Sequence, residues 1–186
     1  MLFKSYCATC LGLDVTIVTV EISVQQGVGI YLVGLPDVAV KESLLRVTTA
    51  LKSCNYRIPG KKVVINLAPA NIKKEGSSFD AAIAVGLLAA SEQIMAPGVD
   101  EFVILGELSL DGEMRRVPGV LPIVLKCAEL GFRKCILPSC SANEAAQVDG
   151  IEVYGAKTIS QVVDILNRIP YTSSLIVKRD PASSFL

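Results

Sequence analysis

The stretch from Ala68 to Ser91 constrains the fold most, because a polar turn there leads directly into an almost wholly apolar helix. Residues 79–90 carry one charge, on Asp80. A helix that is apolar on all sides belongs in the interior of a domain. Ser77 and Asp80 have capping-box spacing, which predicts that the Ser77 oxygen accepts from the backbone N–H of Asp80. The helix N-terminus is therefore expected at the edge of a buried core, as an ordinary cap or as a place for a nucleophile or an anion.

The composition favours one cytoplasmic domain. The 186 residues are 51% hydrophobic with a mean hydropathy of +0.50, so they can build a sizeable core without disulfides. The longest uncharged apolar run, residues 81–91, is shorter than the roughly 20 residues that a membrane-spanning helix needs. Residues 1–14 make a poor signal peptide. We therefore expect no membrane partner.

The charge and cysteine content exclude several classes of site. The 18 basic and 18 acidic residues give no global attraction to nucleic acid, although they leave room for a local basic patch. The absence of histidine removes Ser-His-Asp catalysis and histidine-based metal sites. Cys7 and Cys10 have no second Cys-x-x-Cys pair with which to bind zinc, and they are predicted to precede the first strand, unlike a thioredoxin motif. Reduced thiols and no metal site are expected.

The residue pattern predicts an α/β sandwich with a mixed sheet. Residues 13–24 alternate as a strand and, with a strand over 30–33, are predicted to form an antiparallel hairpin. Asp37 is predicted to cap an amphipathic helix of about four turns. Further strands are predicted over 63–67, 102–105, 135–138 and 151–154, a hairpin turn at Asp111-Gly112, and further helices over 79–90, 120–130, 141–148 and 159–166. Residues 168–186 have no clean period and are predicted to be a linker or a tail.

Nucleotide and nucleic-acid motifs are weak. No P-loop sequence occurs, so no site for ATP and Mg is predicted in this chain. Gly27-x-Gly29 lacks the third glycine of a dinucleotide site and is interpreted as a turn. The basic pairs are scattered along the chain, which solvated loop ends explain more simply than a nucleic-acid track. These pairs are Lys61-Lys62, Lys73-Lys74, Arg115-Arg116 and Arg133-Lys134.

Three segments, in this order, resemble the N-terminal domain of the Mg-chelatase-like ComM/YifB family. They are GLPDVAVKES (34–43), NLAPANIKKEGSSFD (66–80) and GELSLDG (106–112). The segments KEGSSFD (74–80), GELSLDGEMRRVPGVLP (106–122) and GFRKCILP (131–138) also resemble the C-terminal domain of Lon proteases. The resemblance covers about residues 10–167 and implies a ribosomal protein S5 domain 2-like fold for residues 1–167. It also implies that residues 168–186 lead to an AAA+ ATPase module absent from this chain, which would bind ATP and Mg, form hexamers and act in DNA branch migration during transformation.

The resemblance to Lon frames the question of catalysis, because Lon-type peptidases use a Ser–Lys dyad. The overlay puts Ser78 at the nucleophile position and Ile123 at the base position. Isoleucine cannot accept a proton, and the weak substitute is Lys126, one turn along roughly the same face. Phe79 and Asp80 stand where the peptidase has small residues. No catalytic residue is therefore expected.

The remaining motif residues are expected to form a pocket joining the two motif loops. Within it, Glu107 is predicted to pair with Lys73, Lys74 or Arg115 as a structural bridge. The expected pocket residues are Lys73, Lys74, Glu75, Gly76, Ser77, Asp80 and Glu107. The leading hypothesis is a non-catalytic accessory domain that contacts its own AAA+ module and neighbouring subunits. The alternatives are a Lon-type hydrolase using Ser78 and Lys126, and a nucleic-acid-binding module, for which DNA is a candidate partner.

Overall fold

A computed structural model describes residues 2–12 and 14–179, which form a mixed α/β fold. The strands are β1 Leu2–Leu11, β2 Asp14–Gln25, β3 Ile30–Val33, β4 Lys62–Ala68, β5 Phe102–Ile104, β6 Glu107–Leu108, β7 Met114–Arg115, β8 Lys134–Pro138, β9 Glu152–Ala156 and β10 Ile176–Val177. The helices are α1 Val38–Ser53, α2 Asp80–Ala90, α3 Val120–Glu129, α4 Ser139–Ala145 and α5 Ile159–Leu166, with 3-10 turns at Val99–Glu101 and Pro170–Leu175. No helix in the described ranges is long and apolar enough to cross a membrane.

Eight strands form one sheet in the order β10-β9-β8-β5-β1-β2-β4-β3. Strands β5, β8 and β9 are parallel to one another, and β2 is antiparallel to both β1 and β4. Strands β6 and β7 form a separate hairpin around Asp111-Gly112, as predicted. The mixed sheet with packed helices confirms the predicted fold class.

The predicted hairpin between residues 13–24 and 30–33 is wrong. Strand β2 pairs instead with β1, where Cys7 is opposite Val18, and β3 lies parallel to β4 on the far side. The sequence analysis did not predict β1, and β3 was therefore taken as the partner of β2. Cys7 and Cys10 lie within β1, not before the first strand. The long antiparallel register of β1 with β2 satisfies more backbone groups than the four-residue β3 could.

Helix α2 lies in the core, as the apolar stretch predicted. Every residue from Asp80 to Ala90 is buried, and the helix packs on β1 and β2 with α1 beside it. Gly86 permits the close approach, because a Cβ there would lie 2.6 Å from Ile22 Cδ1. The predicted cap of α1 is also confirmed, since the backbone N–H of Val40 donates to Asp37 Oδ1 at 2.7 Å.

The segment predicted to be a linker contains ordered structure. Residues Pro170–Leu175 form a 3-10 turn, and β10 pairs antiparallel with β9, placing Ile176 opposite Tyr154. A two-residue strand and a short 3-10 turn have no hydrophobic period long enough to be recognised in a sequence. Residues 180–186 of the predicted tail lie outside the described residues.

Candidate functional site

A cavity of about 210 Å³ lies at the N-terminal end of α2, where three segments converge. These segments are the end of β1, the turn that precedes α2 and the start of α3. The cavity is lined by Thr9, Cys10, Gly12, Glu75, Gly76, Ser77, Ser78, Pro118, Gly119 and Ile123. The structure therefore brings Ser78 and Ile123, which are 45 positions apart in the sequence, to one site.

Ser78 is held by its backbone and presents an unpaired hydroxyl. Its carbonyl accepts from the N–H of Gly106 at 3.1 Å and from Cys7 Sγ at 3.5 Å. The residue is only 8% exposed, and its hydroxyl has no hydrogen-bond partner among the described residues. That hydroxyl retains contact with open space, since it is not among the fully buried unpaired oxygens. The nucleophile position therefore faces the cavity.

The base position holds an aliphatic side chain. Ile123 lies in the first turn of α3, is 1% exposed and lines the cavity with Ser78. A hydrocarbon side chain has no lone pair, so it cannot take the hydroxyl proton in acyl transfer. The titratable side chains that line the cavity are those of Cys10 and Glu75.

Lys126, the weak substitute for the base, lies on α3 outside the lining of the cavity. Its side chain is 43% exposed, and its ammonium donates to Glu129 Oε2 at 3.1 Å. Lys126 is not among the residues that line the cavity. Lys126 follows Ile123 by three residues on α3, and its side chain lies at the surface. There it forms an ion pair with Glu129 of the same helix.

Neither lysine of the motif is among the residues that line the cavity. Lys73 forms an exposed ion pair with Glu75, at 2.6 Å. Lys74 is fully buried, and its ammonium donates to the carbonyls of Gly34, at 2.8 Å, and Pro69. Burial lowers the pKa of Lys74 because the charged form loses its hydration. Lys74 thus connects the start of its own loop to the loop between β3 and α1, and it does not line the cavity.

The capping box predicted for Ser77 and Asp80 is wrong. Helix α2 begins at Asp80 with Phe79 as its N-cap residue, too late for Ser77 to cap it. The Ser77 hydroxyl instead donates to the Glu107 carboxylate. The predicted ion pair of Glu107 with a lysine or with Arg115 is therefore also wrong, since the structure gives Glu107 a serine partner. Glu107 still connects the two motif loops.

Asp80 forms a buried ion pair with Arg46 of α1. Its carboxylate accepts from Arg46 Nε at 2.8 Å and Nη2 at 3.1 Å, and from the N–H of Leu108 at 3.1 Å. Burial raises the pKa of Asp80, and the hydrogen bonds from Arg46, Ser43 and Leu108 oppose that shift. The pair was missed because Arg46 looks like part of the solvent face of an amphipathic helix. The sequence did contain a signal for this ion pair, namely the lone aspartate in an apolar helix, because a buried charge needs a partner.

The predicted motif pocket is therefore only partly assembled. Glu75, Gly76 and Ser77 line the cavity, while Glu107 contacts it through Ser77. Lys73 contacts the cavity lining only through its ion pair with Glu75. Lys74 and Asp80 are fully buried and are not among the residues that line the cavity.

Comparison with known proteins places the chain in a family. Residues 20–141 match the family model described as subunit ChlI of Mg-chelatase. Competence protein ComM of Haemophilus influenzae is 38% identical over 175 residues, which cover 92% of this chain and 34% of that protein. The uncharacterised protein YifB of Escherichia coli is 41% identical over 141 residues, 75% of this chain and 28% of that protein. The chain belongs to the Mg-chelatase-like ComM/YifB family.

A more distant similarity links the ComM/YifB domain to Lon. Lon protease 2 of Bacillus subtilis is 32% identical over 127 residues, which cover 67% of this chain and 22% of the protease. The chain spans about a third of the length of the ComM relative.

Proposed function

We propose that this ComM/YifB-family domain is a non-catalytic accessory domain of a Mg-chelatase-like AAA+ ATPase. It contacts its own ATPase module and neighbouring subunits and does not hydrolyse peptide bonds. The observation that carries the proposal is the cavity in which Ile123 faces the same space as the Ser78 hydroxyl. A Ser–Lys dyad requires a near-neutral lysine amine beside the serine, and the described residues that line this cavity include no lysine.

Two further features oppose hydrolysis. Phe79 is fully buried immediately after Ser78, so its ring occupies space that a smaller residue would leave open. The lysine nearest to the base position in the sequence, Lys126, is held at the surface by its ion pair with Glu129. The rival hypothesis, a hydrolase using Ser78 and Lys126, would require Lys126 to leave Glu129 and turn into the cavity.

The proposal assigns ATP and Mg to a separate AAA+ module, because this chain has no P-loop. The ComM relative is about three times as long as the matched segment, which leaves room for such a module. The proposed assembly is a cytoplasmic homohexamer that acts on DNA, as the resemblance to the ComM/YifB family implies.

A peptide-hydrolysis assay tests the non-catalytic role. The chain, its Ser78→Ala variant and a Lon peptidase as positive control are incubated with casein and with fluorogenic peptides. We expect hydrolysis only by the Lon peptidase, because the chain lacks a proton acceptor at Ser78. Turnover that is lost in Ser78→Ala would support the hydrolase hypothesis.

The accessory role is tested in the longer protein that carries the ATPase module. The full protein and a version without residues 1–167 are compared in ATPase assays and by mass photometry. We expect both to hydrolyse ATP, while the shortened protein assembles into hexamers less completely. Identical assembly of the two proteins at all concentrations would contradict the accessory role.

A further inference from the structure

The two edges of the large sheet differ in how they are protected against pairing with a further strand. Strand β10 forms one edge, and Lys178 and Arg179 follow it directly. Strand β3 forms the other edge, and the sequence has no charged residue between Glu21 and Asp37, a range that includes all of β3. Charged residues at an edge normally hinder such pairing. We propose that β3 is a self-association surface, at which β3 of a second copy of this chain pairs with it in the antiparallel direction. This contact goes beyond the proposed function and does not depend on the Ser78 cavity.

The backbone of β3 directs two of its residues away from the sheet. Successive residues of a strand direct their backbone N–H and C=O groups to opposite sides. The Gly29 carbonyl accepts from the N–H of Val63 at 2.8 Å, so alternate residues from Gly29 onwards bond to β4. Ile30 and Leu32 therefore each direct one donor and one acceptor to the open side, where the described part of the chain has no strand. These groups specify an extended backbone as their partner.

Two copies of β3 complement each other in the antiparallel direction. Ile30 of each copy lies opposite Leu32 of the other, and the two pairs exchange four hydrogen bonds. A twofold axis then passes between the two Tyr31 residues, which face each other as a pair without hydrogen bonds, where side chains are closest. The same contact is made by both copies, as in other twofold interfaces. The edge therefore supplies a partner strand of matching spacing from its own sequence.

The exposed side chains of β3 fit this arrangement. Tyr31 and Val33 are 52% and 47% exposed and share one face of the strand. The ring of Tyr31 lies against Gly29, because a Cβ at Gly29 would be 3.1 Å from it. In the antiparallel pair, Val33 of the second copy is opposite Gly29 and thus lies beside that ring. Cross-strand pairs of aromatic and β-branched side chains stabilise a sheet.

Charge does not oppose the contact. Lys62 of β4 is the cation beside the edge, and its ammonium is 5.6 Å from the centre of the Tyr31 ring. Since Lys62 is one strand away from the edge, the two copies of it would be separated by about three strand spacings, roughly 14 Å. That separation exceeds the Debye length of about 8 Å at physiological salt. Association through β3 should therefore depend little on salt.

The contact is small, so the dimer should be weak. Strand β3 has four residues, and a single strand pair of that length buries less surface than the roughly 1,200 Å² at the lower limit of standard interfaces. Pairing about a twofold axis also uses the β3 edge of both copies, so association stops at the dimer. We expect a dissociation constant of about 0.1–1 mM for the isolated chain.

Sedimentation equilibrium of the 186-residue chain tests the proposal. We expect a monomer–dimer equilibrium whose dissociation constant changes less than about threefold between about 50 and 500 mM salt. Tyr31→Lys places two ammonium groups opposite each other at the axis and should weaken the dimer at least about tenfold. Leu130→Lys is the matched control, because Leu130 is 56% exposed at the end of α3, which packs on β1, β2 and α4. A chain that stays monomeric at about 1 mM, or equal losses in the two variants, would overturn the proposal.

Amide exchange measured by NMR tests the register in the unchanged chain. The amides of Ile30 and Leu32 should become protected as the concentration rises, because only the second copy accepts from them. The amides of Tyr31 and Val33 bond to β4 and should be protected equally at every concentration, which makes them an internal control. Exchange of Ile30 and Leu32 that does not slow with concentration would contradict pairing through this edge.

A cysteine at the axis tests the twofold symmetry. The Cα atoms of a facing pair without hydrogen bonds lie about 4.5 Å apart, which a disulfide can bridge. Tyr31→Cys should therefore form covalent dimers on mild oxidation with diamide, above the background of the unchanged chain and of Leu130→Cys. No excess of covalent dimer in Tyr31→Cys would contradict the proposed axis. Circular dichroism of each variant shows whether a loss of association reflects unfolding.

Discussion

The two flanks of the turn that precedes α2 differ in how their polar groups are satisfied. On the anchor flank, the carboxylates of Asp80 and Glu107 and the ammonium of Lys74 each have hydrogen-bond partners from another segment. On the cavity flank, the Ser78 hydroxyl has no partner in the described structure, and Ile123 lines the same cavity. The polar groups that hold the turn are thus separate from the position that would perform chemistry.

Under the proposed non-catalytic role, the domain keeps a Lon-like arrangement of its motif turn without the Lon reaction. The anchor flank fixes the turn by contacts between α1, α2 and the β6–β7 hairpin, and none of these contacts needs the Ser78 hydroxyl. Substitutions on the anchor flank should therefore reduce stability, while removal of the Ser78 hydroxyl on the cavity flank should leave stability nearly unchanged. Substitutions at five positions test this division.

Removing Arg46 should have the largest effect. Arg46→Met leaves the carboxylate of Asp80 buried without its ion pair, which costs about 3–5 kcal/mol in comparable buried pairs. Urea unfolding followed by circular dichroism measures the loss, with Arg133→Met as an exposed control. A loss below about 1 kcal/mol would show that the anchor flank is not held by this pair.

Removing the buried ammonium of Lys74 should have the next largest effect. Lys74→Met leaves the carbonyls of Gly34 and Pro69 without their donor, at a cost of about 1–3 kcal/mol near pH 7. The same unfolding measurement applies, and Lys73→Met is the matched control because Lys73 is exposed. Equal stability of the two variants would contradict a structural role for Lys74.

The effect of Lys74 should also depend on pH. Its pKa is lowered in the folded state, so above the folded pKa the unfolded chain binds more protons than the folded one. The unfolding free energy of the unchanged chain therefore gains a contribution from Lys74 as the pH rises towards the ordinary lysine pKa of about 10.4, whereas Lys74→Met cannot gain it. The stability gap between the two proteins should widen with rising pH, and a narrowing gap would contradict the lowered pKa.

The contact between Ser77 and Glu107 should contribute about 1 kcal/mol, because it is a single hydrogen bond at a partly buried site. Ser77→Ala, Glu107→Gln and the double variant form a double-mutant cycle. The expected coupling energy is about 1 kcal/mol, measured by urea unfolding. A coupling energy near zero would mean that the two motif loops are not joined by this bond.

The smallest effect is expected on the cavity flank. Ser78→Ala removes a hydroxyl that has no partner among the described residues, so stability should change by no more than about 0.5 kcal/mol. Thermal unfolding of this variant beside Ser77→Ala compares neighbouring serines of identical chemistry on the two flanks. A larger loss for Ser78→Ala than for Ser77→Ala would remove the distinction between the flanks.

Local signals in the sequence predicted most of the elements. The sequence pattern predicted a helix over residues 159–166, and these are the bounds of α5 in the structure. The Asp37 side chain caps α1 as predicted. The partners of the strands were harder to predict, because an alternating pattern identifies a strand but does not specify which strand lies beside it. The assignment of β2 to a hairpin with β3 failed for this reason, and β10 is too short for any pattern.

The site was predicted less completely than the fold. Resemblance to Lon, and not periodicity, aligned Ser78 and Ile123 with the dyad positions, and the structure brings both residues to one cavity. The partners of Asp80, Glu107 and Lys74 come from distant segments or from backbone carbonyls, which a sequence pattern does not specify. The capping-box spacing was misleading because tertiary contacts compete for the same side chains.

The most direct test of the account is covalent labelling of Ser78. The unchanged chain is incubated with a fluorophosphonate, which reacts with activated serines, and the modified peptides are identified by mass spectrometry. A hydroxyl without a proton acceptor should remain unlabelled over a time in which a Lon peptidase is labelled completely. An adduct on Ser78 that disappears in Lys126→Met would show that a working dyad exists and would contradict the account.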